Sequence, residues 1–254
     1  MPARCTIGVD IGTSSSKGVL VDAHGEILAS ATVAHDVQRP RTGWVEMDGR
    51  IWWAEFVQLT RELLAAASAS QLEVEIAAVG VSGMGPCVLL ADDADEPVRP
   101  AILYGVDTRA TAQIDRMTDE LGVAEITRVG GSTLTTQAGG PKIVWIADEE
   151  PAAYAAARRL FMPASWLARH LTGAYVLDHQ SASQVSPLYD VEREEWHADN
   201  WARYAPGIEA PRLLWAGDIA GQVTDAAAAA TGLPAGIPVI AGTIDAWSEA
   251  VSVG

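Results

Sequence analysis

The run VDIGTSSSKGVLVD, residues 9 to 22, sets an acid, two glycines and four hydroxyls between two apolar segments. Gly12 and Gly18 permit backbone geometry closed to other residues. Thr13, Ser14, Ser15 and Ser16 add hydroxyl donors to the main-chain N–H groups, and the result is a concavity suited to an anion. Lys17 adds a point charge at the rim, and Asp10 ends the first apolar segment, where a carboxylate can hold Mg²⁺ directly or through water. The chemistry this spacing offers is a phosphate with its metal. A plain hairpin turn is the competing reading, since Ser, Thr and Gly dominate turns. GTSSSKG departs from G-x-x-x-x-G-K-[ST], and no G-x-G-x-x-G lies between a strand and a helix, so P-loop and Rossmann sites are disfavoured. A second acid, Asp245, follows the apolar run PVIAG near the far end. A carboxylate at the C-terminal end of a strand is a common active-site placement in α/β proteins. Its competing role is to cap the helix that begins near Ala246.

The elements that must position these residues follow from hydrophobic pattern. CTIGVD and GVLVD read as strands, and EILASATV follows after His24-Gly25, a connection that suits a hairpin and hence an antiparallel meander. Asp48 is a candidate N-cap for a helix whose apolar stripe is Ile51, Phe56, Leu59, Leu63 and Leu64. EIAAVGVSG at 75 to 83 and CVLLAD at 87 to 92 read as strands, and TRATAQIDRMTDELG as an amphipathic helix stopped by Gly122. KIVWIADEE, EPAAYAAARR and ASWLARHLTG read as helical, the last stopped by Gly173, and TDAAAAATG as another helix before the strand PVIAG. One domain, with a subdomain after about residue 130, accounts for this order.

Composition narrows the function classes. The chain has 254 residues, 49% hydrophobic and 20% charged, which is ample for a core. No apolar run approaches the ~20 residues a membrane helix needs, and MPARCTIGVD lacks a signal-peptide core, so a cytoplasmic location is expected. A net charge of −16 without any Lys/Arg run argues against nucleic acid. Cys5 and Cys87 offer neither a disulfide framework nor a ligand set and read as core thiols. Of the nine tryptophans, Trp52, Trp53, Trp145 and Trp166 sit on helical apolar faces and read as core rather than as sugar-stacking platforms.

Several motifs, taken in order, resemble the N-terminal domain of the FGGY carbohydrate kinases, the group that includes xylulokinase, glycerol kinase and ribulokinase. They are GVDIGTSSSKGVLVD, GWVEMDGRIWW, RPAILYGVDTRA, GGPKIVWI, SWLARHLTG, SASQVSPLYDVEREEW and GLPAGIPVIAGTIDAWSEAVSVG, and they span nearly the whole chain. The resemblance implies an α/β fold: a ribonuclease-H-like domain of the actin, Hsp70 and hexokinase superfamily, with a mixed sheet and flanking helices. It implies ATP and Mg²⁺ as cofactors. Asp10 would help hold the metal, Gly12, Thr13, Ser14, Ser15 and Lys17 would face the phosphates, and Asp245 would be the catalytic base.

The same resemblance places substrate contacts at Met84, Gly85, Tyr104, Asp107, Arg109, Gln137 and Ala246, and here the chain departs from the family pattern. Xylulokinases carry Gln-Met-His where this chain has Met84, Gly85 and Pro86, and glycerol kinases carry Arg-Glu at Gly85 and Pro86. The residue after the base is commonly Asn or Gln rather than Ala246, and glycerol kinases have Tyr at the place of Gln137. The segment from Tyr104 to Arg109 carries an extra residue, and a surface ion pair with a packed tyrosine is its competing role. Residues 1–254 are thus expected to be the sugar-binding, catalytic-base half of an ATP-dependent kinase acting on a ketose such as a pentulose, or on a polyol. The chain stops soon after Asp245, so it reads as a fragment of a longer kinase, inactive until the C-terminal ATPase domain of the same protein supplies the adenine site. The alternative is a non-catalytic carbohydrate-sensing module that keeps the fold. No nucleic-acid or membrane partner is expected, and a homodimer is compatible with the sequence.

Overall fold

The computed structural model describes residues 2–252. Alternating apolar and small residues carry β1 (Ala3–Ile11) through the middle of a sheet, with Cys5, Ile7, Val9 and Ile11 buried on one face. β2 (Ser15–Asp22) and β3 (Ile27–Ala34) follow as an antiparallel meander, as the hairpin residues predict. β4 (Glu46–Met47) pairs with Ala101–Ile102 away from this sheet. After the helix α1 (Gly49–Ala69), β5 (Val74–Gly83) returns parallel to β1 on its other side. Pro238–Ile240 and Thr243–Ile244 add parallel to β5, and Ile219–Gln222 closes the edge antiparallel, giving a seven-stranded sheet that is mixed, as expected.

α1 begins where Asp48 accepts a hydrogen bond from the Arg50 N–H at 2.9 Å. Helical spacing then brings Trp52, Phe56, Leu59 and Leu63 onto the sheet, with Ile51 and Leu64 half-buried beside them. A Cβ at Gly18 would lie 3.1 Å from Leu63 Cδ1, so the missing side chain lets α1 approach β2. α2 (Thr111–Leu121), α3 (Val123–Gly130), α4 (Gly139–Glu149) and α5 (Pro151–Ala156) build around a second core that includes Met117, Ile126, Ile143 and Ile146. This second core already takes in Val88 and Leu90, so it begins well before residue 130. α3 escapes sequence reading because Gly122, which stops α2, also opens the next helix. α6 (Pro163–Thr172) packs against α1 and β5 and ends at Gly173 with φ 76°.

The expected strand at 87 to 92 forms over Leu89–Ala91 but pairs with Arg159–Phe161 in a separate two-stranded sheet, since β5 already has neighbours on both sides. Trp52, Trp145 and Trp166 are buried, and Trp53 stacks on Phe56 and His170. Both cysteines are free and buried, and burial pushes the Cys87 thiol up to about 12, which leaves it unreactive. Among the described residues no helix is long and apolar enough to cross a membrane.

Lys142 of α4 is 1% exposed and donates from Nζ to the Leu103 carbonyl at 2.8 Å. Burial lowers its ammonium to about 8, with Arg109 adding to the effect while Cys87 and Asp107 oppose it. The unfolded chain holds this proton up to ~10.4. Between these values the unfolded state binds more protons, so stability rises with pH, by at most ~1.4 kcal/mol per pH unit. Lys142→Met is expected to abolish that rise. Urea midpoints of both proteins at several pH values between 8 and 10 check it, and parallel curves would refute it.

Candidate active site

The first acid and its neighbours are placed by strand pairing. Asp10 lies opposite Lys17 on β2 and Ser82 on β5, and the pleat sends all three to the face away from α1. Ser82 Oγ donates to Asp10 Oδ1 at 2.7 Å, while Oδ2 has no protein donor among the described residues. With Gly8, Gly80 and Ser248, these residues line an open groove of about 330 Å³.

The turn itself is Gly12–Ser14, closed by the Gly12 N–H donating to the Ser15 carbonyl at 3.1 Å. A Cβ on Gly12 would lie 2.7 Å from that carbonyl, so glycine is required by space here. Thr13 Oγ1 shares a 2.9 Å hydrogen bond with the Tyr104 hydroxyl, and Ser14 is exposed. Ser15 and Lys17 stand on the first turns of the β2 pleat, Lys17 exposed at the groove. The fourth hydroxyl, Ser16, points the other way and is fully buried.

The second acid arrives on a neighbouring strand. Thr243 and Ile244 pair with Ser82 and Gly83, and Thr243 Oγ1 donates to the buried Asp178 carboxyl at 2.7 Å. Asp245 follows at once and opens the helix Asp245–Ser252, its Oδ1 accepting the Ala246 N–H at 2.7 Å. Strand end and helix start therefore coincide at Asp245. Burial raises the Asp245 carboxyl above its ordinary value; the Ala246 N–H opposes this, and the charges of Asp10 and Glu249 add to it. Asp10 and Asp245 thus repel each other across the strand ends, an arrangement that favours a cation. Among the described residues no group of three or more His, Cys, Asp or Glu gathers to hold a metal unaided. Of the expected metal and phosphate contacts, Asp10 and Lys17 line the groove, and Gly12, Thr13, Ser14 and Ser15 form the adjoining turn and strand start.

The expected substrate contacts divide into two groups. Tyr104 and Gln137 come together beside the turn: Gln137 Oε1 accepts the Gly105 N–H at 2.9 Å, and Tyr104 reaches Thr13. Ala246 is exposed one residue past Asp245. Gly85 is partly exposed, whereas the Met84 side chain is 1% exposed in the core, and its N–H donates to the Ile11 carbonyl at 2.7 Å. Asp107 and Arg109 depart furthest from expectation, because neither side chain is at the surface. Asp107 accepts the Val45 N–H at 2.6 Å and one guanidinium edge of Arg109, Nε and Nη2, while Arg109 Nη1 donates to Glu46 at 2.6 Å. The Arg109 guanidinium lies 4.1 Å from the Trp44 ring centre and 4.9 Å from that of Trp145. Arg99 donates to the same Glu46. The buried cluster braces the segment that carries Tyr104, whose carbonyl accepts the Asp107 N–H at 3.0 Å.

Sequence reading missed Ser82, Glu46 and Asp178. The first two lie inside recognisable motifs, EIAAVGVSG and GWVEMDG, yet their partners are remote in sequence. Gly85 has a tighter constraint: a Cβ there would lie 2.5 Å from Ile244 Cγ1, directly before Asp245. Gly85→Ala is expected to overpack this contact by about 1–3 kcal/mol. At about 2–4 °C per kcal/mol the melting temperature should fall by roughly 2–12 °C. An unchanged melt would show that Ile244 yields freely.

The profile of the N-terminal domain of the FGGY family of carbohydrate kinases matches residues 5–252. A xylulose kinase of Lactococcus lactis subsp. lactis (strain IL1403) is 28% identical over 254 residues, 98% of this chain and 49% of that protein. A glycerol kinase of Nocardia farcinica (strain IFM 10152) is 33% identical over 87% of this chain and 45% of its own length. The crystal structure of xylulose kinase from Rhodospirillum rubrum superposes with a TM-score of 0.92 at 30% identity, covering 99% of this chain and 51% of that one. The fold is accordingly the actin- and hexokinase-like one. The chain spans about half the length of the curated relatives it matches.

Proposed function

The chain belongs to the FGGY family of carbohydrate kinases, and from that premise we propose that it is the substrate-binding, catalytic-base half of an enzyme that phosphorylates a sugar hydroxyl with ATP. The substrate class is a ketose such as a pentulose, or a polyol. The observation that carries this reading is the placement of Asp10 and Asp245 at the ends of two strands that flank β5, beside the Gly12–Ser14 turn, with the Asp10 charge acting on the Asp245 carboxyl. Bound MgATP would supply the phosphoryl group and a cation to neutralise its charge.

The chain's own residues do the rest. Phosphoryl transfer asks the protein mainly for alignment and charge neutralisation, which the turn, Thr13 and Lys17 are placed to provide. Asp245 accepts the proton of the attacking hydroxyl. Its Oδ1 is occupied by the Ala246 N–H, so Oδ2 is the oxygen left for that proton. Burial and the Asp10 charge raise its carboxyl, which makes it a stronger base than an exposed aspartate. Tyr104, Gln137 and Ala246 line the approach of the sugar. The adenine site falls to a C-terminal ATPase domain of the same protein, in keeping with relatives about twice as long.

The test is ADP release by the full-length protein from MgATP in the presence of a panel of ketoses and polyols. Phosphorylated sugar is expected. Sugar binding without ADP release would point instead to the sensing module, and neither binding nor release would overturn both readings.

A further inference from the structure

Beneath the turn, on the α1 side of the sheet, three polar side chains form a buried contact that the proposed reaction does not use. Ser16 Oγ donates to Glu55 Oε2 at 2.5 Å. His35, one residue past β3, places Nδ1 2.9 Å and 3.1 Å from the two Glu55 oxygens and Nε2 3.0 Å from the Gly12 carbonyl. Its own N–H donates to the Ser14 carbonyl at 3.1 Å. The side chains of His35 and Glu55 are only 6% and 9% exposed.

The chemistry of these groups sets the charge of the ring. A peptide carbonyl can only accept, and so can a carboxylate. With Glu55 ionised, both ring nitrogens face acceptors, and in that state both bonds form together only when each nitrogen carries a proton. A neutral imidazole would turn one lone pair against an oxygen. The consequence for the turn follows from the peptide plane, where the Gly12 C=O and the Thr13 N–H point in opposite directions. Holding that carbonyl toward α1 turns the Thr13 N–H away from α1, toward the face on which Asp10 and Lys17 stand.

We propose that His35 is a positioning residue, held as an imidazolium against Glu55, whose Nε2–H pins the Gly12 carbonyl and so orients the Thr13 N–H toward the bound phosphate. The inference rests on the phosphate reading of the turn for its functional part alone. Ser16 and Glu55 complete the brace, and neither touches the groove.

Two substitutions test it in the full-length protein. His35→Asn keeps a donor for Glu55 but lacks the ring nitrogen that reaches the Gly12 carbonyl, and Glu55→Gln retains an acceptor for Ser16 while removing the carboxylate. Nitrogen NMR of selectively labelled histidine should show both His35 ring nitrogens protonated at pH 7 in the wild type, and a neutral tautomer in Glu55→Gln. Losing the pinning bond should quicken amide exchange at Thr13 about tenfold and raise the KM for MgATP about tenfold, the worth of one hydrogen bond. The KM for the sugar should stay within about twofold, because uniform sugar binding is untouched. A neutral ring in the wild type, unchanged Thr13 exchange, or equal shifts in both KM values would overturn the proposal. A full-length protein that releases no ADP with any sugar would sink the kinase reading, while ring protonation and Thr13 exchange would still decide the brace.

Discussion

Replacing Asp245 by Asn is expected to lower kcat of the full-length protein by about 10²–10⁴-fold, the usual worth of a positioned general base. The amide keeps the size of the side chain and its acceptor for the Ala246 N–H. It cannot take a proton, so the loss should fall on kcat and leave sugar affinity nearly unchanged. Stability should move the other way. Asp245 has a raised carboxyl in the fold, so the folded state binds the proton more readily than the unfolded chain. Its contribution is favourable below the unfolded value of ~3.9 and is lost as pH rises through the higher folded value. At neutral pH the ionised group strains the site, through burial first and the Asp10 charge after it. Asp245→Asn should therefore melt above wild type at pH 7, with the gap closing as pH falls toward 4. A variant that loses less than about tenfold in kcat, or that melts lower at pH 7, would remove Asp245 from the role of base.

Arg109→Leu is expected to cost about 3–5 kcal/mol, the penalty for stripping one partner from a buried ionic cluster. The guanidinium is fully enclosed, and Asp107 is fully enclosed with it. Glu46 would keep Arg99, but Asp107 would keep only the Val45 N–H and its own turn. Two indole faces would also lose the Arg109 cation, at 4.1 and 4.9 Å, and keep only the Arg41 and Arg99 guanidiniums at 4.7 and 5.8 Å. At roughly 2–4 °C per kcal/mol the melting temperature should drop by about 6–20 °C. Arg109→Lys should recover little, because an ammonium cannot make the two-edged contact to Asp107 and Glu46 together. A drop of less than about 2 °C for the leucine variant would mean that Asp107 finds water or another donor.

The same residues divide what is local from what is not. Hydrophobic alternation in CTIGVD and GVLVD, with a short turn between, was enough for the meander, because a strand's side-chain period is set by its own backbone. Asp48 and the apolar spacing from Trp52 to Leu63 likewise determined α1. Asp10, the hydroxyl turn and Asp245 could be named as chemistry for the same reason: each sits at a strand end that local pattern predicts. Asp107 and Arg109 could not be read this way. Their charge argued for the surface, and only the enclosure by Trp44, Trp145 and Glu46 turned them into a brace.

Sequence by itself determined the opening meander, α1, α2, α4 and α6, which acids end strands, and that a glycine-rich turn with hydroxyls lies between two strands. Tertiary structure alone decided which polar groups meet, since Ser82 reaches Asp10 across 72 residues and Tyr104 reaches Thr13 across 91. Periodicity acts over a few neighbours, whereas hydrogen bonds and ion pairs between distant segments exist only after burial of the two cores has brought those segments together.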